Sequence, residues 1–427
     1  VDQLSKLPRT KLLRMQTDSA DTLSGWMALT LILKESHLDQ LERDQQLQAW
    51  ALKYPRHPAN VQRLGSNSKS DPGSLDRNVA IGVILPLSGP YQKAGEAIRQ
   101  GILIARRYNQ DSVPVRFYNS DLTDSSKLYR HVVDEGASMM IGPLNKKTLA
   151  ELVTDNRLTI PVLALNQIPD FSAKNLYQFG LNPEDEVEQV VNRAWFRGYH
   201  RALVLAPDNE QGQRLASVFS KRWSQLGGDI IHSQTYSPKV TEYGPPVKRL
   251  LGIKEDPEAQ DSETPYPELE EGRIRTDFIF LVATPPQARL IKSMLNYFNA
   301  GKLMVYSTSK VYSGHENPIE DRDLSGLVFC DIPWLFESET LDAPSLGTVL
   351  ENWQGPSTHF IRLTALGFDA YNLLPHLPRL QSDRNESYSG VTGGLSLTAN
   401  RHVRRQLVCA EFKNGHPVLQ RLSPALR

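Results

Sequence analysis

Cysteine is nearly absent from these 427 residues: there are two, Cys330 and Cys409. Neither belongs to a CxxC pair, so no zinc site or dithiol redox motif is spelled out. Each lies in a short apolar run, VFCDI or LVCAEF. They are read as two buried thiols in strands. A disulfide needs those strands adjacent, with Cα atoms within about 7 Å, which spacing along the chain does not reveal. No apolar run approaches the ~18 residues of a membrane span. Neither charge sign prevails, with 48 basic and 48 acidic residues. That balance argues against a nucleic-acid partner and against a disordered acidic chain.

Catalytic signatures are missing too. There is no G-x-S-x-G elbow, no H-E-x-x-H and no G-x-x-x-x-G-K-[ST]. His315-Glu316 runs into Asn317-Pro318-Ile319, without the second zinc histidine. Gly89, Gly95 and Gly101 are evenly spaced, unlike a dinucleotide fingerprint. They are read as a turn and as points of close helix–sheet packing. The ten histidines are scattered without ligand spacing. The expectation is a protein that is not an enzyme and carries no cofactor or metal.

What the chain has in quantity is hydrophobic pattern. At 40% hydrophobic and 427 residues it can build two or three domains. Residues 1–64 read as helix, with Trp26, Leu29 and Leu33 on one face and Leu47, Trp50, Ala51 and Tyr54 on another. Pro55 and Pro58 stop the second helix. A Trp-led helix, a turn and a helix closing on WALKYPRHPAN resembles a tetratricopeptide-type unit. About three such repeats are needed for a continuous core. The chain also opens at Val1 without an initiator Met, so the natural protein is expected to continue on the N-terminal side. Residues 65–78, GSNSKSDPGSLDRN, are a linker.

From Val79 short apolar runs alternate with helical stretches, among them VAIGVILPL, TIPVLAL, RALVLAP, DFIFLVA and GLVFCDI. Near-continuous Val/Ile/Leu runs suit strands covered on both faces, and strand–helix alternation implies parallel sheets. The spacing is too long for one compact sheet, so two doubly wound lobes are expected. In 211–226, Leu215, Val218, Phe219 and Leu226 mark a buried stripe. Segment 255–271 holds eight acidic residues and three prolines and is read as a solvated insertion rather than a partner loop.

In parallel sheets ligands sit outside the carboxyl ends of strands. Those ends offer Ser88, Asn145, Lys146, Asn166, Gln167, Asp208, Ser307 and Tyr312 as a candidate inter-lobe cleft. Lys146 and Lys147 suit an anion or, more plainly, the start of a surface helix. Arg401, Arg404 and Arg405 are read as a solvated edge rather than a docking patch. Trp334, Leu335 and Phe336 fit an exposed apolar patch and core packing equally.

The stretch VAIGVILPLSGPYQKAGEAIRQGILIARRY, followed in order by GASMMIGPL, IPVLAL, GYHRALVLAPDNEQGQ, LTALGFDAYNLLPHL and GVTGGLSLTANRHVRRQLVCAEF, resembles the type I periplasmic binding proteins. The resemblance implies an α/β, two-lobed fold of two doubly wound parallel sheets, preceded by an all-α tetratricopeptide-like segment. It divides the chain into helical repeat (1–64), linker (65–78) and binding-protein-like domain (79–427). Lobe 1 is expected at about 79–182 and 325–380, and lobe 2 at about 183–310 and 390–427. Small-ligand relatives place small hydroxyl residues where this chain has Asn145-Lys146-Lys147, so a small-molecule ligand is not expected.

The repeat–linker–binding-fold combination resembles the LpoA family. These are outer-membrane lipoproteins that activate a bifunctional class A penicillin-binding protein. The resemblance implies a periplasmic protein whose partner is that enzyme. It also implies attachment to the outer membrane through an N-terminal lipid anchor that this chain does not contain. The alternative is a periplasmic solute-binding receptor for a small molecule.

Overall fold

The computed structural model describes residues 22–34, 50, 53–54, 80–155, 158–253, 276–336, 341–351, 360–383 and 386–420. The chain divides into two units, Val1–Ser74 with Pro375–Tyr388, and Leu75–Leu374 with Ser389–Arg427.

In the first unit, α1 (Thr22–Lys34) is apolar along most of its length. Its Leu29 packs with Trp50 and Tyr54 against half-buried Trp26, Ala28 and Ile32. The Trp50 indole donates to the Gly25 carbonyl at 2.9 Å, which satisfies the one polar atom of a buried ring. The rest of the expected repeat, including Leu47 and Ala51, and the linker 65–78 lie outside the described residues. Within the same unit Arg379 pairs with Glu386.

The second unit opens with β1 (Ile81–Leu85) and α2 (Gln92–Tyr108), then β2 (Val115–Asn119), α3 (Ser125–Asp134), β3 (Met139–Ile141), α4 (Lys146–Asp155), β4 (Val162–Ala164) and β5 (Leu176–Gln178). The strands form a five-stranded sheet of order β2-β1-β3-β4-β5, paired in parallel throughout. Every residue of β1 is buried, as a strand covered on both faces requires.

A second run follows: α5 (Pro183–Phe196), β6 (Arg201–Pro207), α6 (Glu210–Gln225), β7 (Asp229–Tyr236), α7 (Gly244–Leu250), β8 (Phe278–Leu281), α8 (Pro285–Tyr297), β9 (Met304–Ser307) and β10 (Leu327–Asp331). After α9 (Ile361–Leu373) come β11 (Tyr388–Gly390), β12 (Gly393–Leu397), β13 (Val403–Gln406), β14 (Val408–Lys413) and β15 (His416–Leu419). The second sheet has seven strands in the order β15-β14-β10-β9-β8-β6-β7. It is parallel from β10 to β7 and antiparallel at β10-β14-β15. Its core is aromatic, with Phe219 stacked on Phe280 at 4.2 Å and Trp223 edge-on to Phe278.

The division into lobes differs from the expected one. Residues 327–331 belong to the second sheet, because β10 lies between β9 and β14; α9, from the same expected segment, packs on the first lobe. There α9 crosses α2 so closely that a Cβ on Gly101 would stand 1.9 Å from the Thr364 carbonyl oxygen, and one on Gly367 2.1 Å from that of Ile98. Residues 393–406 also leave the expected lobe 2. β12 and β13 form a separate three-stranded sheet with β11, tied to the end of the first sheet by the Gln178–His402 bridge. The main chain therefore passes from one lobe to the other between β5 and α5, between β10 and α9, and between β13 and β14.

The cysteines are also corrected. Cys330 and Cys409 face each other directly on β10 and β14 and are joined by a disulfide. The antiparallel strand that brings them together lies 79 residues along the chain, a distance over which local pattern carries no pairing information.

Candidate functional site

Five of the eight strand-end residues bond through their side chains to the chain's own groups. Ser88 caps the turn after β1; its hydroxyl accepts from Asn119 Nδ2 at 3.0 Å and donates to Asp121 at 3.4 Å. Asn145 accepts from the Lys147 amide at 2.8 Å at the start of α4. Lys146 and Lys147 are exposed, and Lys147 reaches Glu151 one turn on at 3.9 Å, as on an ordinary surface helix. Asn166 donates to the Leu144 carbonyl at 2.9 Å. Gln167 is buried; it donates to the Val403 carbonyl at 3.0 Å and accepts from Asn182 at 2.6 Å. Ser307 is fully buried and donates to the Leu281 carbonyl at 2.7 Å. The Tyr312 ring is buried among Phe329, Phe336 and Phe412, and burial pushes its hydroxyl pKa up. Asp208 is exposed. Trp334 and Leu335 resolve as core, not surface.

The polar side chains that do converge lie beside the passages between lobes. Asp331 closes β10 at the start of the second passage, and Arg362 opens α9 at its end. Arg362 grips Asp331 through two of its side-chain nitrogens, Nε at 2.9 Å from Oδ1 and Nη2 on Oδ2. This fork-to-carboxylate geometry suits a buried pair. The same Nη2 donates to the carbonyls of Tyr312 at 3.0 Å and Ser309 at 3.3 Å. Burial works to lower the Arg362 pKa, but the Asp331 carboxylate beside it outweighs burial and leaves it raised.

Glu186, in the first turn of α5 after the first passage, accepts from the Ser309 amide at 3.0 Å. Its other oxygen faces Arg405 Nη2 at 3.9 Å, and Arg405 stands just before the third passage. Burial pushes the Glu186 carboxyl up to about 7; Arg405 opposes this and Asp331 reinforces it. Gln189, one turn along α5, accepts from the Leu407 amide at 2.7 Å and donates to the Arg405 carbonyl at 3.1 Å. Deeper in α9, Asp369 accepts from the amides of Val391 and Thr392, and burial raises it to about 6.

Sequence reasoning missed this cluster. Arg405 was grouped with Arg401 and Arg404 as a solvated edge, yet it is 4% exposed. Only Arg404 is exposed, 3.8 Å from Glu188; Arg401 donates to the Ala173 carbonyl. The signal was present: period-two alternation puts Arg405 on the face of Val403 and Leu407. Likewise Asp331 ends an apolar run and Asp369 interrupts another, where an acid needs a partner. Among the described residues no group of three or more His, Cys, Asp or Glu is arranged to hold a metal ion.

The sequence profile of the LppC putative lipoproteins matches residues 2–415. The chain belongs to the LppC putative lipoprotein family. This LppC-family chain is 28% identical over 408 residues to the penicillin-binding protein activator LpoA of Vibrio vulnificus, a match covering 91% of this chain and 66% of that protein. It thus spans about two thirds of the length of the curated relatives it matches. Among solved structures it resembles the LpoA C-domain from Haemophilus influenzae, a regulator of PBP1A. The TM-score is 0.65 at 26% identity, over 80% of this chain and 99% of that one. It also resembles a putative branched-chain amino acid ABC transporter protein from Chromobacterium violaceum. Here the TM-score is 0.60 at 25% identity, over 78% and 100% of the two chains. The fold is the two-lobed type I periplasmic-binding-protein fold in an LppC-family setting.

Proposed function

We propose that this chain is a non-catalytic regulator of peptidoglycan synthesis that binds a class A penicillin-binding protein and activates it from the outer membrane. The observation that carries this reading is the similarity to penicillin-binding protein activators along 91% of the chain. The family's lipoprotein character supports a lipid-anchored protein on the periplasmic side of the outer membrane, and no helix among the described residues is long and apolar enough to cross a membrane. Activation then comes from interface contacts made more strongly with the active state of the enzyme than with the resting one. The strand ends support this reading: Asn166, Gln167 and Ser307, polar groups that a small-ligand receptor could turn to a solute, bond here to the chain's own backbone and side chains.

The test is glycan-strand synthesis by a purified class A penicillin-binding protein, with and without this chain, alongside a direct binding measurement. Stimulation over the concentration range that shows binding is expected. Binding without stimulation, or neither, overturns the proposal. The likeness to the branched-chain amino acid transporter protein supports a second reading, a solute receptor. Its mark is a rise in Tm with one of a panel of amino acids, sugars and wall fragments.

A further inference from the structure

Two arginines of this chain use the same edge of the guanidinium differently. Arg362 turns Nε and Nη2 onto the two oxygens of Asp331. Arg405, on β13, keeps the same two atoms buried with no hydrogen-bond partner among the described residues. Its side chain is 1% exposed, so bulk water does not serve them. The facing carboxyl groups do not close on it either. Glu186 Oε1 stands 3.9 Å from Nη2, beyond hydrogen-bond length, while its other oxygen is held by the Ser309 amide at 3.0 Å. Asp185, the preceding residue of α5, feels the Arg405 charge, and its Oδ2 is likewise buried without a hydrogen-bond partner. The backbone cannot simply shift to shut the gap. Gln189 of α5 donates to the Arg405 carbonyl at 3.1 Å and accepts from the Leu407 amide at 2.7 Å, which fixes β13 against α5. Unmet buried donors and acceptors are costly, and protein interiors satisfy them with ordered water. We propose that this gap is a buried water site: one or two water molecules accept from Arg405 Nε and Nη2 and donate to Glu186 Oε1 and Asp185 Oδ2, bridging β13 to the first turn of α5.

The chemistry of the gap selects water over other small occupants. An anion suits the guanidinium fork, but it would enter beside the carboxyl groups of Asp185 and Glu186, with Asp369 also under the Arg405 charge. A cation suits the carboxylates but meets the guanidinium. Water both accepts and donates, and it needs two to four polar partners, which these atoms supply. The spacing fits as well. A water about 2.8 Å from both Nη2 and Oε1 spans their 3.9 Å separation at an angle of about 90°. The bridge joins elements of different sheets. β13 belongs to the three-stranded sheet tied to the first sheet at Gln178–His402, and α5 packs on β9 and β10 of the second. Where Arg362 clamps Asp331 directly, Arg405 meets its acids through solvent.

The first test is diffraction from crystals of this chain at a resolution that shows ordered solvent. Density is expected for one or two waters within hydrogen-bond distance of at least two of the atoms Arg405 Nε, Arg405 Nη2, Glu186 Oε1 and Asp185 Oδ2. A direct Arg405–Glu186 or Arg405–Asp185 hydrogen bond with no such density overturns the proposal, as does density that refines as an ion. The second test is in solution. The Arg405 Nε–H resonance, assigned by its loss in Arg405→Lys, should show cross-peaks to water of opposite sign in NOE and ROE spectra, the mark of a water that stays bound longer than the protein takes to tumble. Thr308→Val removes a buried hydroxyl next to Ser309 as a relay and should leave those cross-peaks in place. Cross-peaks of equal sign, their absence from the wild type, or their loss in Thr308→Val overturns the proposal independently of the crystals.

Discussion

Arg362→Met tests whether the Asp331–Arg362 pair holds the end of β10 to the start of α9. The Asp331 side chain is 1% exposed and that of Arg362 21%, so little water can replace the lost guanidinium. After the substitution Asp331 retains the Ile332 amide at 2.8 Å and no cation at bonding distance. The carbonyls of Ser309 and Tyr312 lose a shared donor as well. Breaking a buried ion pair by removing one partner costs about 3–5 kcal/mol, while replacing both partners by apolar residues of similar volume is often close to neutral. The single variant is therefore expected to lose about 3–5 kcal/mol, and Asp331→Leu/Arg362→Met to recover most of it. Urea unfolding followed by tryptophan fluorescence measures both, with the midpoint shifting at unchanged slope. A single-variant loss under about 1 kcal/mol, or a double variant no better than the single, refutes the reasoning.

Three further outcomes follow from the same geometry. The Cys330–Cys409 bond closes a separation of 79 residues, so reduction should cost about 2–4 kcal/mol; uptake of a thiol reagent by the unfolded, unreduced chain contradicts the bond. Gly101→Ala, which drives a Cβ to 1.9 Å from the Thr364 carbonyl, should destabilise by about 1–3 kcal/mol, and a neutral effect in thermal unfolding shows that α2 and α9 are not in close contact. Burial raises the Asp369 carboxyl from 3.8 to about 6, so the folded state holds that proton more tightly than the unfolded one. Its contribution is most favourable below pH 4 and declines by about 3 kcal/mol as pH rises to 6. The stability difference between wild type and Asp369→Asn should change across that interval and be flat above it.

Much of the fold was legible because the two periods of the sequence were honest. The runs at 81–85, 201–207 and 278–281 are continuous and buried, and the stripe through Leu215 and Phe219 faces the core. Trp223, one turn beyond Phe219, belongs to that stripe and was overlooked. What pattern could not supply was partnership at long range. β10 could be given to either lobe from its composition, and only pairing with β9 and β14 decides it. The disulfide fails for the same reason. The strand ends pose a different problem. A general rule makes them a cleft, but polarity at a strand end does not say whether the group faces a ligand or the chain. Gln167, Asn166 and Ser307 face the chain.

That distinction can be tested at Gln167. Its amide joins the end of the first sheet to β13 through the Val403 carbonyl at 3.0 Å, and to the first passage through Asn182 at 2.6 Å. If Gln167 is framework, Gln167→Ala removes two buried hydrogen bonds and leaves the Val403 carbonyl and the Asn182 amide without it. A loss of about 1–3 kcal/mol is expected on that basis. Stimulation of a class A penicillin-binding protein, assayed well below the lowered Tm, should then remain at the wild-type level, because a folded chain presents the same outer surface. If Gln167 instead contacts a partner or solute, the pattern inverts, with little change in Tm and a lower apparent affinity. Thermal unfolding and the synthesis assay on one preparation separate the two. Stability near wild type together with weakened stimulation would return the strand ends to the status of a binding site.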